Sequence, residues 1–358
     1  MQGTPLTAPA LPEEIAALLA RGTVVPAHPL ALDAHRRLDE RRQRALTRYY
    51  LAAGAGGIAI AVHTTQFEIH EPERGLLEPV LALTADVLDR EADRPLVRIA
   101  GVVGDAAQAV REAQLAAGLG YHAVLLSPRV AGADEDALIE RARAVGEVLP
   151  VVGFYLQEAI GGPVLSRSFW RRFADLPSVV AVKAAPFDRY RTAELVRGVS
   201  ESDRADAVSL YTGNDDAIVA DLTAVHHIET PSGMREARFV GGLLGQWAVG
   251  TRAATQVLAL AHRAADGDRE AGAELSGLAA DLTDLNSAVF DPANGFAGVI
   301  AGVHEMLRQQ GLLDGIWCLD EHETLSPGQA EEIERVRRQY PHLNDDAFIA
   351  EHRDEWLR

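Results

Sequence analysis

A single lysine, Lys183, stands among the 34 basic residues of this 358-residue chain, and every other one is arginine. It lies inside VVAVKAA (179–185), flanked by Val and Ala with no adjacent carboxylate. The two basic side chains differ chemically. Arginine stays protonated and cannot condense with a carbonyl, whereas a deprotonated lysine can. A free lysine has a pKa of about 10.4, so near neutrality roughly one in a few thousand is the nucleophilic amine. Burial in an apolar strand disfavours the ammonium and lowers that pKa, by up to ~3–5 units when complete. The position therefore suits a Schiff-base nucleophile. The plainer alternative is an arginine-rich coding bias, with the lysine stem in a strand and its head reaching solvent or a loop carboxylate such as Asp188.

A second group is HTT, His63-Thr64-Thr65, followed by QFEIHEPERG. Two hydroxyls together with loop N–H groups can cradle a carboxylate without arginine. The alternative is an ordinary Thr-Thr strand end. His63, His70, His226 and His227 raise the question of a metal-dependent aldolase, but they show no H-x-H, H-x-x-x-H or carboxylate spacing of the ligand kind. His63 matters more for its position beside the threonines. Cys318, the one cysteine, sits late and isolated in GIWCLDEHE and reads as a buried structural thiol.

These residues need a scaffold. Eight short apolar runs recur, at 22–27, 56–62, 95–103, 121–128, 150–156, 179–185, 207–213 and 239–245. They are rich in Val, Ile and Leu without clean alternation, as strands buried on both faces are. Between them lie amphipathic segments, several opened by Asp and closed by Gly or Pro: 39–56, 105–120, 134–150 and 188–199. Strands alternating with helices predict a parallel sheet, and eight is the number that closes a (β/α)8 TIM barrel. A doubly wound sheet lacks its fingerprint, since the glycine-rich GAGGIA (54–59) precedes a strand instead of following one. After residue 246 the chain reads as helices near 246–266, 268–287, 294–311 and 326–338, with a polar tail expected to dock as a terminal helix or arm. The expected organisation is an α/β chain with an N-terminal segment (1–20), the barrel (21–266) and a C-terminal helical extension (267–358).

In such a barrel, chemistry sits at the C-terminal ends of strands. That rule singles out His63, Thr64 and Thr65 after the second run, Tyr155 and Gln157 after the fifth, Lys183 on the sixth, and Tyr211, Thr212 and Asn214 after the seventh. Composition narrows the partners. The net charge is −18 and the pI about 5.1, with arginines scattered among Asp and Glu and no basic patch for nucleic acid. One cysteine fits a reducing cytoplasm, and no signal peptide or membrane span is legible.

With these residues in view, the chain resembles the dihydrodipicolinate synthase / N-acetylneuraminate lyase family of class I aldolases over about residues 20–335. That family carries Gly-Thr-Thr-Gly-Glu after its second strand, to which HTTQF is similar. Its Schiff-base lysine lies in a sixth-strand run like Val-Val-Ala-Ile-Lys-Glu, to which VVAVKAA is similar. A Ser-Gly-Asp-Asp-like turn matches YTGNDD (211–216), and the glycine-rich eighth strand matches FVGGLLG. The resemblance implies Lys183 as the nucleophile and Thr64, Thr65, His63 and Gly242 at the substrate. It also implies a proton-relaying tyrosine after the fifth strand. Counted from Pro150, that position falls on Phe154, with Tyr155 next. A one-residue bulge would bring Tyr155 inward, strand parity would turn it away, and His63 is the substitute in that case.

The expectation is a cytoplasmic lyase, aldolase or dehydratase acting on a pyruvate-like 2-oxo acid, with Lys183 as nucleophile and Tyr155 moving the proton. No metal or organic cofactor is expected, since the imine serves as electron sink. Neither nucleic acid nor membrane is expected as a partner, and the family resemblance implies a homodimer or homotetramer. Two alternatives stand beside this: a metal-dependent barrel enzyme, and a non-catalytic barrel that binds a 2-oxo acid.

Overall fold

A computed structural model describes residues 9–358, so the first eight residues of the expected N-terminal segment lie outside the described residues. The eight apolar runs are all strands: β1 Val24–Pro26, β2 Gly57–Ile60, β3 Val97–Val102, β4 Ala123–Leu126, β5 Val151–Leu156, β6 Val179–Ala185, β7 Ser209–Thr212 and, last, Phe239–Leu244. The last is β10, because an antiparallel hairpin, β8 His226–Thr230 and β9 Gly233–Ala237, intervenes. The hairpin escaped the sequence reading because its largely exposed strands, HHIET and GMREA, lack an apolar alternation.

The eight runs pair in parallel in the order β1-β10-β7-β6-β5-β4-β3-β2. A bridge between Ala27 and Ala59 links β1 to β2, with the His28 N–H donating to the Ala59 carbonyl (2.8 Å), so the barrel closes. Short runs of Val, Ile and Ala suffice here because nearly every barrel residue is buried, inside by other strands and outside by helices.

The helices are α1 Glu13–Arg21, α2 Glu40–Ala52, α3 Leu77–Glu91, α4 Ala106–Gly118, α5 Glu135–Gly146, α6 Arg167–Ala174, α7 Arg189–Ser200, α8 Ile218–Thr223, α9 Thr251–Ala265, α10 Arg269–Phe290, α11 Val299–Gln309, α12 Gln329–Gln339 and α13 Asp346–Trp356. The aspartates expected as caps act as such: Asp105 accepts from Gln108 N (2.8 Å), Asp134 from Ala137 N (2.8 Å) and Asp188 from Arg191 N (2.9 Å). Each cap stabilises its helix by about 1 kcal/mol.

The tail docks as a helix. In α13, Ile349 and Trp356 are buried in the cluster that holds Tyr49 of α2, and the Tyr49 hydroxyl donates to Asp345 just before α13 (2.6 Å). Among the described residues, no helix is long and apolar enough to cross a membrane.

Strand parity decides which side chains enter the barrel. Val152, Phe154 and Leu156 of β5 join the inner cluster, as do Ala181 and Ala185 of β6 and Tyr211 of β7. Val151 and Tyr155 face the surrounding helices. The β5–β6 ladder carries one irregularity: Val151 pairs Val179, but Val152 pairs Ala181, so Val180 is the extra residue. From there the register runs cleanly and sets Lys183 beside Phe154. The bulge thus lies in β6, upstream of the lysine, and not in β5 next to Tyr155.

Candidate active site

Lys183 stands on the inner face of β6, 7% exposed, between Phe154 on β5 and Tyr211 on β7. Its neighbours along the inner face, Ala181 and Ala185, are small, and the chain beside it is Gly213. A Cβ on Gly213 would fall 2.5 Å from Lys183 Cε, so glycine there makes room for the lysine stem. The amine lies over the Phe154 ring, 4.4 Å from its centroid. Among the described residues, Lys183 Nζ has neither a hydrogen bond nor an ion pair. Burial pushes the amine below its ordinary pKa, and the charge of Asp215 partly offsets that shift.

Asp215 follows β7 and is also 7% exposed. Its Oδ1 accepts from Gln246 N (2.9 Å), and burial, the largest influence on it, raises its carboxyl well above the usual carboxylate range. Lys183 and Asp215 line one cleft together with His63, Thr64 and Gln157. Thr64 is buried and its hydroxyl is unpaired among the described residues. His63 is held neutral, first by desolvation and then by the charges of Lys183 and Arg129.

The loop that presents His63 and Thr64 is a 3-10 turn, His63–Thr65, between two residues forced into left-handed backbone, Ala61 (φ 61°) and Gln66 (φ 72°). Such conformations cost of order 1–3 kcal/mol and persist where the surroundings over-determine them. They do so here. His70 donates to the Ala61 carbonyl (2.9 Å) and lies 3.1 Å from buried Glu112, while the Gln66 side chain accepts from Leu319 N (2.6 Å). Gln66 stands where the resembling motif has its second glycine.

A second network fixes the loops after β6 and β7. Fully buried Asp221 accepts from Thr212 Oγ1 (2.6 Å) and Asn214 Nδ2 (2.9 Å), and Asn214 Oδ1 accepts from Phe187 N (3.0 Å).

The residues expected at the site divide into two groups. Lys183, His63 and Thr64 meet in the cleft. Thr65, Tyr155 and Gly242 do not. The Thr65 hydroxyl donates to the His28 carbonyl (2.7 Å) and accepts from Val62 N (3.2 Å), so it closes its own turn. Tyr155 is paired with Ala184 and turned outward against Trp170 of α6 (ring centroids 5.2 Å apart), because parity gives the interior to Phe154. Gly242 pairs with outward-facing Thr212, and a Cβ there would fall 2.6 Å from Trp247, so its lack of a side chain serves helix packing.

We expect Tyr155→Phe to leave imine formation at Lys183 within about twofold of the parent, since the hydroxyl makes only long contacts to the Leu165 backbone (3.4 and 3.5 Å). A large loss of adduct formation in that variant would restore the tyrosine to the site.

Two contributors went unread in the sequence. Asp215 belongs to YTGNDD, and its place just beyond the end of β7 is the one signal the sequence offers for it. The roof of the cleft comes from beyond the barrel: Phe290 of α10, Phe296, and Val299, Ile300 and Val303 of α11. Nothing in the local sequence of these helices marks them as lining a cleft. Among the described residues, no group of three or more His, Cys, Asp or Glu is placed to hold a metal ion.

No family model matches this chain, and no curated protein matches it by sequence. Its fold does match solved structures. Dihydrodipicolinate synthase from Acinetobacter baumannii, chloride-inhibited and complexed with pyruvate, superposes with a TM-score of 0.71 at 19% identity, covering 92% of this chain and 99% of that one. A prophage protein of the dihydrodipicolinic acid synthase family from E. coli K12, in complex with pyruvate, gives 0.72 at 16% identity over 89% of this chain and 98% of that one. Dihydrodipicolinate synthase from Oceanobacillus iheyensis gives 0.70 at 17% identity over 91% and 99%. At these identities the likeness is one of fold, and it agrees with the resemblance read from the strand-end motifs.

Proposed function

We propose that the chain is a Schiff-base-forming lyase or aldolase acting on a pyruvate-like 2-oxo acid through Lys183. The observation that carries this reading is a lone lysine on the inner face of the sixth barrel strand, buried, unpaired and lining a cleft with Asp215. Two of the fold's solved relatives hold pyruvate, which supports the same substrate class.

The neutral Lys183 amine adds to the keto carbon, and the carbinolamine loses water to give a protonated imine. That cation accepts the electron pair of the C3–C4 bond. The proton of the 4-hydroxyl passes to a base, an aldehyde leaves, and Lys183 holds the enamine of pyruvate. Protonation at C3 and addition of water release pyruvate and return the amine. The reverse order makes the C–C bond, and loss of a 4-hydroxyl as water is the related dehydration.

Each residue of the cleft has a place in this scheme. The unpaired Thr64 hydroxyl can donate to the substrate carboxylate. Asp215, with its carboxyl raised towards neutrality, is matched to giving and taking the proton near pH 7. His63, held neutral, serves as a hydrogen-bond partner and not as an acid.

Proton exchange tests the reading without knowledge of the second substrate. In deuterated buffer the protein should wash the methyl protons of pyruvate into solvent, followed by NMR. Exchange that is absent, or equally fast in Lys183→Met, would rule the enamine out.

A further inference from the structure

We infer that the cleft over Lys183 accepts a 2-oxo acid whose far end is apolar and uncharged, an aromatic or aliphatic group, and that Phe187 and Phe296 form the wall that selects it. The inference rests on the imine reading and adds the class of the second substrate to it.

The lining of the cleft is graded. Its polar groups, Lys183, Asp215, His63, Thr64 and Gln157, stand at the ends of the barrel strands. Above them the walls are Ile160, Phe187 and Phe290, and α11 adds Val299, Ile300 and Val303. Among the described residues, no arginine and no second lysine lines the cleft. Once Lys183 has become a protonated imine engaged by the keto carbon and Thr64 has met the carboxylate at C1, no further lysine or arginine among the described residues lines the cleft for a second carboxylate or a phosphate. Asp215 would repel either one. A polyhydroxy chain would leave its hydroxyls facing aliphatic carbon, and unpaired buried hydroxyls weaken binding. An apolar group loses nothing on entering and is bound by burial. Arg129, whose charge acts on His63, lines a neighbouring groove with its guanidinium over Phe67 (5.8 Å).

The second observation concerns the mouth. Phe187, in the loop between β6 and α7, and Phe296, in the turn between α10 and α11, meet edge to face with centroids 5.5 Å apart. Both are phenylalanines with left-handed backbone, φ 52° and 67°. A bulky residue rarely adopts that conformation unless its surroundings hold it. Phe187 is held by Asn214, as described. The turn bearing Phe296 is held by Asp291, which accepts from Asn294 Nδ2 (2.6 Å), Ser326 Oγ (2.5 Å) and Gly298 N (3.2 Å). Glycine would meet the backbone requirement at both positions without strain. The strained residues that stand there are both aromatic, and both line the cleft.

The test is competitive trapping on the full chain with cyanoborohydride, reading the Lys183 peptide by mass. Equal concentrations of 4-phenyl-2-oxobutanoate, 2-oxoglutarate and a 2-oxo-3-deoxyhexonate are offered, with pyruvate alone as reference. The phenyl adduct should exceed each of the other two by about tenfold or more, the scale of discrimination in an apolar pocket. Phe296→Ala should lower that ratio about tenfold, and Phe296→Leu, which keeps an apolar side chain and guards against misfolding, should lower it less. A ratio near or below one, or trapping of pyruvate with none of the longer acids, overturns the inference and leaves the imine reading standing. Failure to trap pyruvate as well would instead overturn the imine reading itself.

Discussion

Lys183→Arg is expected to abolish pyruvate-dependent chemistry, with turnover and C3 proton exchange falling on the order of 10⁴-fold or more, the scale on which loss of a covalent nucleophile acts. The variant keeps a basic side chain but loses the amine that can become a neutral nucleophile. Arginine is also longer, and the stem space is bounded by Gly213 and Ala185, so some loss of stability is expected from overpacking. Lys183→Met, close in volume and uncharged, separates the two causes: it should fold at least as well as the parent and be equally inactive. Relief of the buried ammonium and loss of its attraction to Asp215 oppose each other, so the melting temperature should change little. Residual turnover within tenfold of the parent in either variant would show that the reaction does not pass through this residue.

Asp215→Asn should split capture from turnover. Burial lowers the Lys183 pKa from its ordinary 10.5, and the Asp215 charge opposes that shift. Capture of a 2-oxo acid needs the neutral amine, so its rate in the parent should rise with pH and level off at the lowered lysine pKa, below 10.5. Without the carboxylate the amine pKa falls further, and this rising limb should move to lower pH. Capture near pH 7 is then as fast as in the parent or faster. Steps that move protons on the captured substrate lose their acid and base, and turnover should fall about 10²–10³-fold. Stopped-flow trapping set beside steady-state turnover reads both effects. Equal losses in the two, with the limb unmoved, would make Asp215 a structural residue.

Much of this arrangement could be read from residues alone. Eight runs of Val, Ile, Leu and Ala, spaced by Asp-capped helices, were enough for the barrel, because a strand buried on both faces leaves a continuous apolar mark. Lys183 stood out because a charged residue inside such a run is costly unless it serves something. The direction that Tyr155 takes was not legible, for a reason that lies between strands. A bulge was needed to explain the parity, and composition gave no means of telling that the extra residue was Val180 in β6 and not one in β5. Moving it across the ladder puts Phe154 beside the lysine and turns Tyr155 into the helix layer. The placement of Thr65 and Gly242 away from the cleft was equally illegible, since residue type and strand position do not say which face a side chain takes. The roof was illegible because Phe290, Phe296 and α11 reach the cleft from more than 100 residues beyond β6, through tertiary packing that leaves no local pattern.

The central claim is covalent, and one mass measurement addresses it. Incubated with pyruvate and borohydride, then digested, the protein should carry a single reduced carboxyethyl group on the peptide containing Lys183. The N-terminal amine, the one other primary amine of the polypeptide, should stay unmodified. An adduct confined to the N-terminus, or none at all with pyruvate in excess, would contradict the account.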